Sequence, residues 1–277
     1  MTALLHGENL RRTFTGRRGE RTDAVTGVSL TLEAGRTVGI VGESGSGKTT
    51  LARMLAGIDR PTSGTVRLNG RPLPRRGARR RESRRHLQLV PQHASRALNP
   101  RVTIGRHFRE VLDAHRIEPG GGYDELIAAR LVEVGLSGDD QAKLPGQLSG
   151  GQQQRAVFAR SLLLDPQVLI CDEPTSALDI SVQAQIIRLL WERCRGRDRA
   201  LAVITHDLRV ARELCDHLLV MHRGEVVEQG PAERLLDRPD HPCTRELLTS
   251  ARRFSVPGPA GPPRSAAASA PTGPAPR

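Results

Sequence analysis

The sequence predicts an α/β fold: a parallel sheet covered by helices on both faces, with an antiparallel β subdomain and an inserted α-helical subdomain. Three observations predict it. Short apolar runs at 38–41, 168–171, 201–205 and 218–221 are separated by helical stretches, and strands that alternate with helices form a parallel sheet buried on both faces. Residues 1–35 instead alternate short apolar runs with turns, as in Val28-Ser29-Leu30-Thr31-Leu32 before Ala34-Gly35, which marks antiparallel strands. Residues 103–163 switch to helical spacing and form the insertion.

Taken in order, the buried run 38–41 leads straight into glycines and then into an apolar helix over 50–57. Gly64-Thr65-Val66-Arg67-Leu68-Asn69-Gly70 predicts an edge strand with a turn. Pro119-Gly120-Gly121-Gly122 and Leu144-Pro145-Gly146 interrupt the helical block. After the strand 168–171, Ile186, Leu189, Leu190 and Cys194 fall on one helical face. From Phe254 onward Pro, Ala, Gly and Ser leave almost nothing to bury. Residues 254–277 are therefore expected to be a disordered tail behind a folded domain over 1–253.

Composition narrows the class. With 37% apolar residues in 277 the chain can bury a proper core. No run approaches the roughly 20 apolar residues of a membrane span, and residues 1–10 lack a basic start followed by an apolar stretch. A cytoplasmic protein is expected, touching membranes only through partners. Cys171, Cys194, Cys215 and Cys243 lie far apart with no Cys-x-x-Cys pair, which fits free thiols and argues against zinc.

Gly42-Glu43-Ser44-Gly45-Ser46-Gly47-Lys48-Thr49 fits G-x-x-x-x-G-K-[ST] and lies where that loop belongs, between a strand and a helix that takes in Thr50. Glycines let backbone N–H groups converge on phosphate oxygens, and the helix N-terminus adds its dipole. Lys48 brings a compact charge to the β- and γ-phosphates, and the Thr49 hydroxyl ligates Mg²⁺. Only two of the 42 basic residues are lysines, Lys48 and Lys143. A chain that otherwise uses arginine places lysine here because a planar guanidinium is too large for a phosphate cradle. The strand 168–171 carries Asp172 and Glu173 to the same edge of the sheet, suited to hold Mg²⁺ through water and to polarise the attacking water.

About twenty residues before that strand stands Leu148-Ser149-Gly150-Gly151-Gln152. This run resembles the signature motif of the ABC ATP-binding cassette family, a branch of the P-loop NTPases. The resemblance runs from about Glu8 to Ser250, with the core motifs in family order. It implies an ATPase that binds ATP and Mg²⁺ and sandwiches two ATP molecules between two cassettes. Leu148 to Gln152 would face the ATP held by the partner. Gln92, in Leu89-Val90-Pro91-Gln92, matches the glutamine that reaches Mg²⁺ and the water. His206, in Thr205-His206-Asp207, matches the histidine that contacts the γ-phosphate. Asp179, closing Pro174-Thr175-Ser176-Ala177-Leu178-Asp179, matches the loop that aligns the two subunits. Phe14 matches the aromatic that stacks on adenine; an ordinary core phenylalanine is the other reading.

Two further segments resemble oligopeptide, dipeptide and nickel importer ATPases: Ser95-Arg96-Ala97-Leu98-Asn99-Pro100-Arg101, and Glu228-Gln229-Gly230 followed by His241-Pro242-Cys243-Thr244-Arg245-Glu246-Leu247-Leu248. Cys243 stands where those relatives have tyrosine, and the cysteine-free tail implies no iron–sulfur cluster. The implied protein sits peripherally on the cytoplasmic face of the membrane. Its partners would be two permeases, with residues 92–101 near them, a second cassette (a paralogue or a copy of itself), and a separate solute-binding protein.

Importers of nickel or other small solutes, an exporter subunit, and a soluble ABC ATPase acting on ribosomes or nucleic acid remain alternatives. The formal charge of +12 suits the last of these. Much of that charge is Arg71, Arg75, Arg76, Arg79, Arg80, Arg81, Arg84 and Arg85. No aromatic interrupts this run, so it lacks a base-stacking platform, and direct nucleic-acid binding is not expected. A solvated connector is the plain reading, and attraction to anionic lipid headgroups the functional one.

Overall fold

A computed structural model of the chain describes residues 2–16, 19–74, 76–175, 178–194 and 198–253. The stretch 254–277, Arg75, Ser176 and Ala177 lie outside them, as do the side chains of Ser95 and Cys194. Two sheets organise the rest. β1 (Ala3–Thr15) and β2 (Arg21–Glu33) pair antiparallel, and β1 also pairs with β4 (Ser63–Leu68), which in turn pairs with β5 (Arg71–Pro72). The order is β2-β1-β4-β5. β4 is thus flanked on both sides where an edge strand was expected. The covering strand has only two residues, too few for any periodicity to show.

The second sheet contains β3 (Thr37–Gly42), β6 (Leu87–Val90), β7 (Val168–Asp172), β8 (Ala200–Ile204), β9 (His217–His222) and β10 (Glu225–Pro231) in the order β10-β9-β3-β8-β7-β6. Every pairing is parallel except that of β9 with β10, a hairpin turned at Arg223-Gly224. The central strands β3, β7 and β8 are almost wholly apolar because they bury both faces. In β7, Val168 and Ile170 point into one core while Leu169 and Cys171 point into the other; in β8, Ala202 and Ile204 oppose Leu201 and Val203. One core is shared with the antiparallel sheet and α1 (Lys48–Leu55), the other with the helical insertion and the later helices. Each such leucine or isoleucine contributes about 1.5–3 kcal/mol by leaving water.

α1 starts two residues before the expected 50, because its polar first turn is Lys48 and Thr49. Residues 103–163 hold α3 (Ile104–His115), α4 (Tyr123–Glu133) and α5 (Gly150–Leu162), with Pro119 to Gly122 separating the first two. The arginine cluster is partly helical. Its members Arg79, Arg80, Arg81, Arg84 and Arg85 lie on α2 (Ala78–His86), none of whose residues is buried. α6 (Ile180–Cys194), α7 (Leu208–Leu214), α8 (Ala232–Asp237) and α9 (Pro242–Arg253) complete the chain. Among the described residues no helix is long and apolar enough to cross a membrane.

Candidate active site

Parallel strands deliver their carboxyl ends to one edge, and the register fixes which residues meet there. Ile40 of β3 lies beside Ile204 of β8, Asp172 of β7 beside the same Ile204, and Val90 of β6 beside Cys171. Gly42, Thr205, Glu173 and Gln92 leave the sheet within a residue or two of these positions. Sequence distances of up to 163 residues thus close into one edge.

The glycine loop turns at Gly42 and closes at Gly47, the N-cap of α1, with φ of 152° and 100°. A Cβ on Gly42 would strike the Met221 carbonyl, and one on Gly47 the Ala24 carbonyl. Both positions demand glycine before any ligand arrives. The β9–β10 turn braces the loop, with Gly224 N–H donating to the Ser46 carbonyl at 3.0 Å. Lys48 is buried, and its Nζ donates to the carbonyls of Gly42 (2.8 Å) and Glu43 (2.6 Å). Burial pulls the Lys48 ammonium below its ordinary range, against the carboxylates of Glu173, Asp172 and Glu43. Glu43, Ser44, Gly45 and Thr49 face outward.

Asp172 is 3% exposed, and its Oδ1 has no hydrogen-bond partner. Burial pushes its carboxyl up, while the Thr49 hydroxyl draws it back. A buried carboxylate with a free oxygen beside a hydroxyl is an oxygen set suited to a hard cation that keeps waters and phosphate oxygens as its other ligands. Asp172 and Thr49 therefore fit Mg²⁺.

Glu173 stands next to this pair with φ 49°, a backbone conformation costing about 1–3 kcal/mol for a non-glycine residue. Its N–H donates to the Ile204 carbonyl at 2.9 Å, which holds the turn. The turn places the carboxylate between two predicted partners. Gln92 Nε2 donates to Oε2 at 3.0 Å, and His206 Nδ1 lies 3.0 Å from Oε1. Glu173, Thr205, His206 and Asp207 line one small cleft.

The remaining predicted residues stand apart. Ser149 caps α5 in a reciprocal box: its hydroxyl accepts from Gln152 N–H at 3.3 Å, and Gln152 Oε1 accepts from Ser149 N–H at 2.8 Å. Leu148 is buried behind it. Among the described residues no hydrogen bond or ion pair joins 148–152 to the glycine loop. Asp179 begins α6, accepting from Ser181 Oγ at 2.6 Å and Val182 N–H at 3.0 Å. Phe14, 42% exposed, is no core phenylalanine.

Three features escape a motif reading. Gln154 Nε2 of α5 reaches the Pro91 carbonyl at 3.4 Å, and Arg160 Nη1 reaches the Ala97 carbonyl at 3.0 Å. The helix behind Ser149 is thereby tied to the segment that carries Gln92. Glu228 accepts from the N–H groups of Asp240 (3.0 Å) and His241 (3.1 Å), so the two halves of the C-terminal resemblance form one structural clasp. Arg12 lies over the Phe14 ring. A polar residue at a fully buried helix position, as Gln154 is, was the available signal.

The glycine loop and the sheet edge define an α/β protein of the phosphate-loop class. The family model described as ABC transporter matches residues 25–176, and the chain belongs to the ABC transporter family. It is 42% identical over 248 residues to the di/tripeptide transport ATP-binding protein DppF of Pseudomonas aeruginosa, covering 88% of this chain and 76% of that one. With the dipeptide transport ATP-binding protein DppF of Escherichia coli it shares 37% identity, over 84% of this chain and 70% of the relative. Among solved structures it resembles the dimeric ATP-binding cassette MJ0796 in a post-hydrolysis state bound to ADP and Pi. That match has a TM-score of 0.75 at 28% identity, and covers 83% of this chain and 99% of the other.

Proposed function

We propose that this chain is the ATP-hydrolysing subunit of a peptide importer, with residues 1–253 as its nucleotide-binding domain and the block 103–163 as a helical insertion. One observation carries the chemistry: the Glu173 carboxylate held between Gln92 and His206, beside Lys48, Thr49 and Asp172. The relatives' dipeptide and di/tripeptide transport names point to the cargo class.

Residues 42–50 bind the phosphates, with Lys48 Nζ exchanging its backbone acceptors for β- and γ-oxygens. Thr49, Gln92 and, through water, Asp172 would hold Mg²⁺, which would supply charge neutralisation at the phosphates. Glu173 takes a proton from water as the water oxygen bonds to the γ-phosphorus and the bond to the bridging oxygen of ADP breaks. His206 orients Glu173 and meets the γ-phosphate, and Phe14 stacks on the base. Leu148, Ser149, Gly150, Gly151 and Gln152 close on ATP held by a second cassette, aligned through Asp179. The chain sits at the cytoplasmic face of the membrane against two permeases, contacted near 92–101, and an extracytoplasmic solute-binding protein completes the system.

General-base catalysis contributes roughly 10²–10⁴-fold. Glu173→Gln should therefore slow single-turnover phosphate release at least about 100-fold and leave equilibrium ATP binding intact. Deleting the chain should abolish uptake of labelled di- and tripeptides. Intact peptide uptake with lost nickel uptake would overturn the cargo assignment.

A further inference from the structure

Phe14 lies near the end of β1, and the Arg12 guanidinium carbon is 4.7 Å from its ring centroid, within the range of cation–π attraction. The cation is fixed there. Arg12 Nη1 donates to the Arg60 carbonyl at 2.7 Å, and Arg12 Nε is buried with no hydrogen-bond partner. Asp59, held low chiefly by its hydrogen bond to Arg53, also feels the Arg12 charge. One face of the ring is therefore covered, and the exposed part of Phe14 is its other face and rim.

Strand register sets where that face stands. Phe14 pairs with Thr22 and Arg12 with Val25. Ala24, between those two positions on β2, packs its carbonyl against Gly47. Along β2, Thr22, which pairs with Phe14, is two residues, roughly 7 Å, from Ala24, where the phosphate loop closes.

We propose that Arg12 is a positioning residue for the nucleotide base: it closes one face of Phe14, fixes the ring, and leaves the opposite face as the stacking platform, giving a three-layer stack of base, ring and guanidinium. The inference rests on the reading of Phe14 as the base-stacking residue. A ring already held by its own cation loses less freedom on binding.

The test titrates the full chain with Mg²⁺-ATP and with inorganic tripolyphosphate, which offers the same phosphates and no base. Arg12→Ala should weaken ATP about five- to tenfold and leave tripolyphosphate unchanged. Arg12→Gln keeps an N–H donor for the Arg60 carbonyl but removes the charge, and should behave like Arg12→Ala. Arg12→Lys, which keeps a cation, should lose less. Equal weakening of both ligands, no weakening of either, or a wild-type Arg12→Gln would overturn the role of Arg12. Phe14→Ala separates the two layers of the argument. If it leaves the ratio of the two affinities unchanged, the base-stacking reading itself fails. If it lowers that ratio and Arg12→Ala does not, only Arg12 is misassigned.

Discussion

At the residue scale Asp172 sets the terms, since it is 3% exposed, lacks a partner at Oδ1, and has a carboxyl pushed up chiefly by burial. A carboxyl raised in the folded state binds its proton more tightly there than in the unfolded chain. Ionised Asp172 therefore costs stability above its folded pKa, and the cost vanishes as pH falls through that value. Asp172→Asn should raise the Tm at neutral pH in the absence of Mg²⁺. At this chain length about 1 kcal/mol corresponds to roughly 2–4 °C. The gain should fade in acid, where both side chains are neutral. Addition of Mg²⁺ with nucleotide should stabilise the wild type more than the variant. Calorimetric scans over a pH series check all three. A variant less stable than the wild type at neutral pH would mean that the carboxylate is already satisfied.

At the scale of elements, short caps hold the functional turns. Asp207 begins α7, accepting from Arg209 N–H at 2.8 Å. Burial pushes its carboxyl up, but the Arg209 side-chain and backbone donors outweigh it and hold the group below its ordinary range. Stability from this cap is present above the unfolded pKa and lost as pH falls through the folded one. Asp207→Ala should cost about 1 kcal/mol at pH 7, as N-cap deletions do. The difference should shrink toward zero below the folded pKa in urea titrations. Much of this level was legible in the sequence. The glycine loop after β3, the acids ending β7 and the Ser149-x-x-Gln152 box each follow from local chemistry a short window displays. β5 was not, because two residues have no period. Nor were the links from Gln154 to Pro91, Arg160 to Ala97 and Glu228 to Asp240 and His241. Each ends on a backbone group, which any residue supplies, so that end of the bond leaves no trace in the sequence.

For the whole molecule the question is what Gly150 answers to. Its backbone lies outside the left-handed region, and a Cβ built on it meets nothing within 4 Å. Nothing among the described residues requires glycine at the first residue of α5. Gly42 and Gly47 differ, since carbonyls of this same chain exclude a side chain there. If the N-terminus of α5 closes on ATP held by another cassette, the missing requirement comes from that partner, and glycine keeps the backbone N–H groups close to the phosphate. Gly150→Ala separates the two settings. In the isolated chain it should leave the Tm unchanged or raise it slightly, since alanine favours the helix over glycine by about 1 kcal/mol. In a Glu173→Gln background with saturating ATP it should weaken dimerisation at least about tenfold, equivalent to roughly 1.4 kcal/mol. Light scattering coupled to size exclusion reads the second effect and calorimetry the first. A dimer as strong as that of Glu173→Gln alone would show that Gly150 does not face the partner's nucleotide. A large drop in Tm would instead place its role inside this chain.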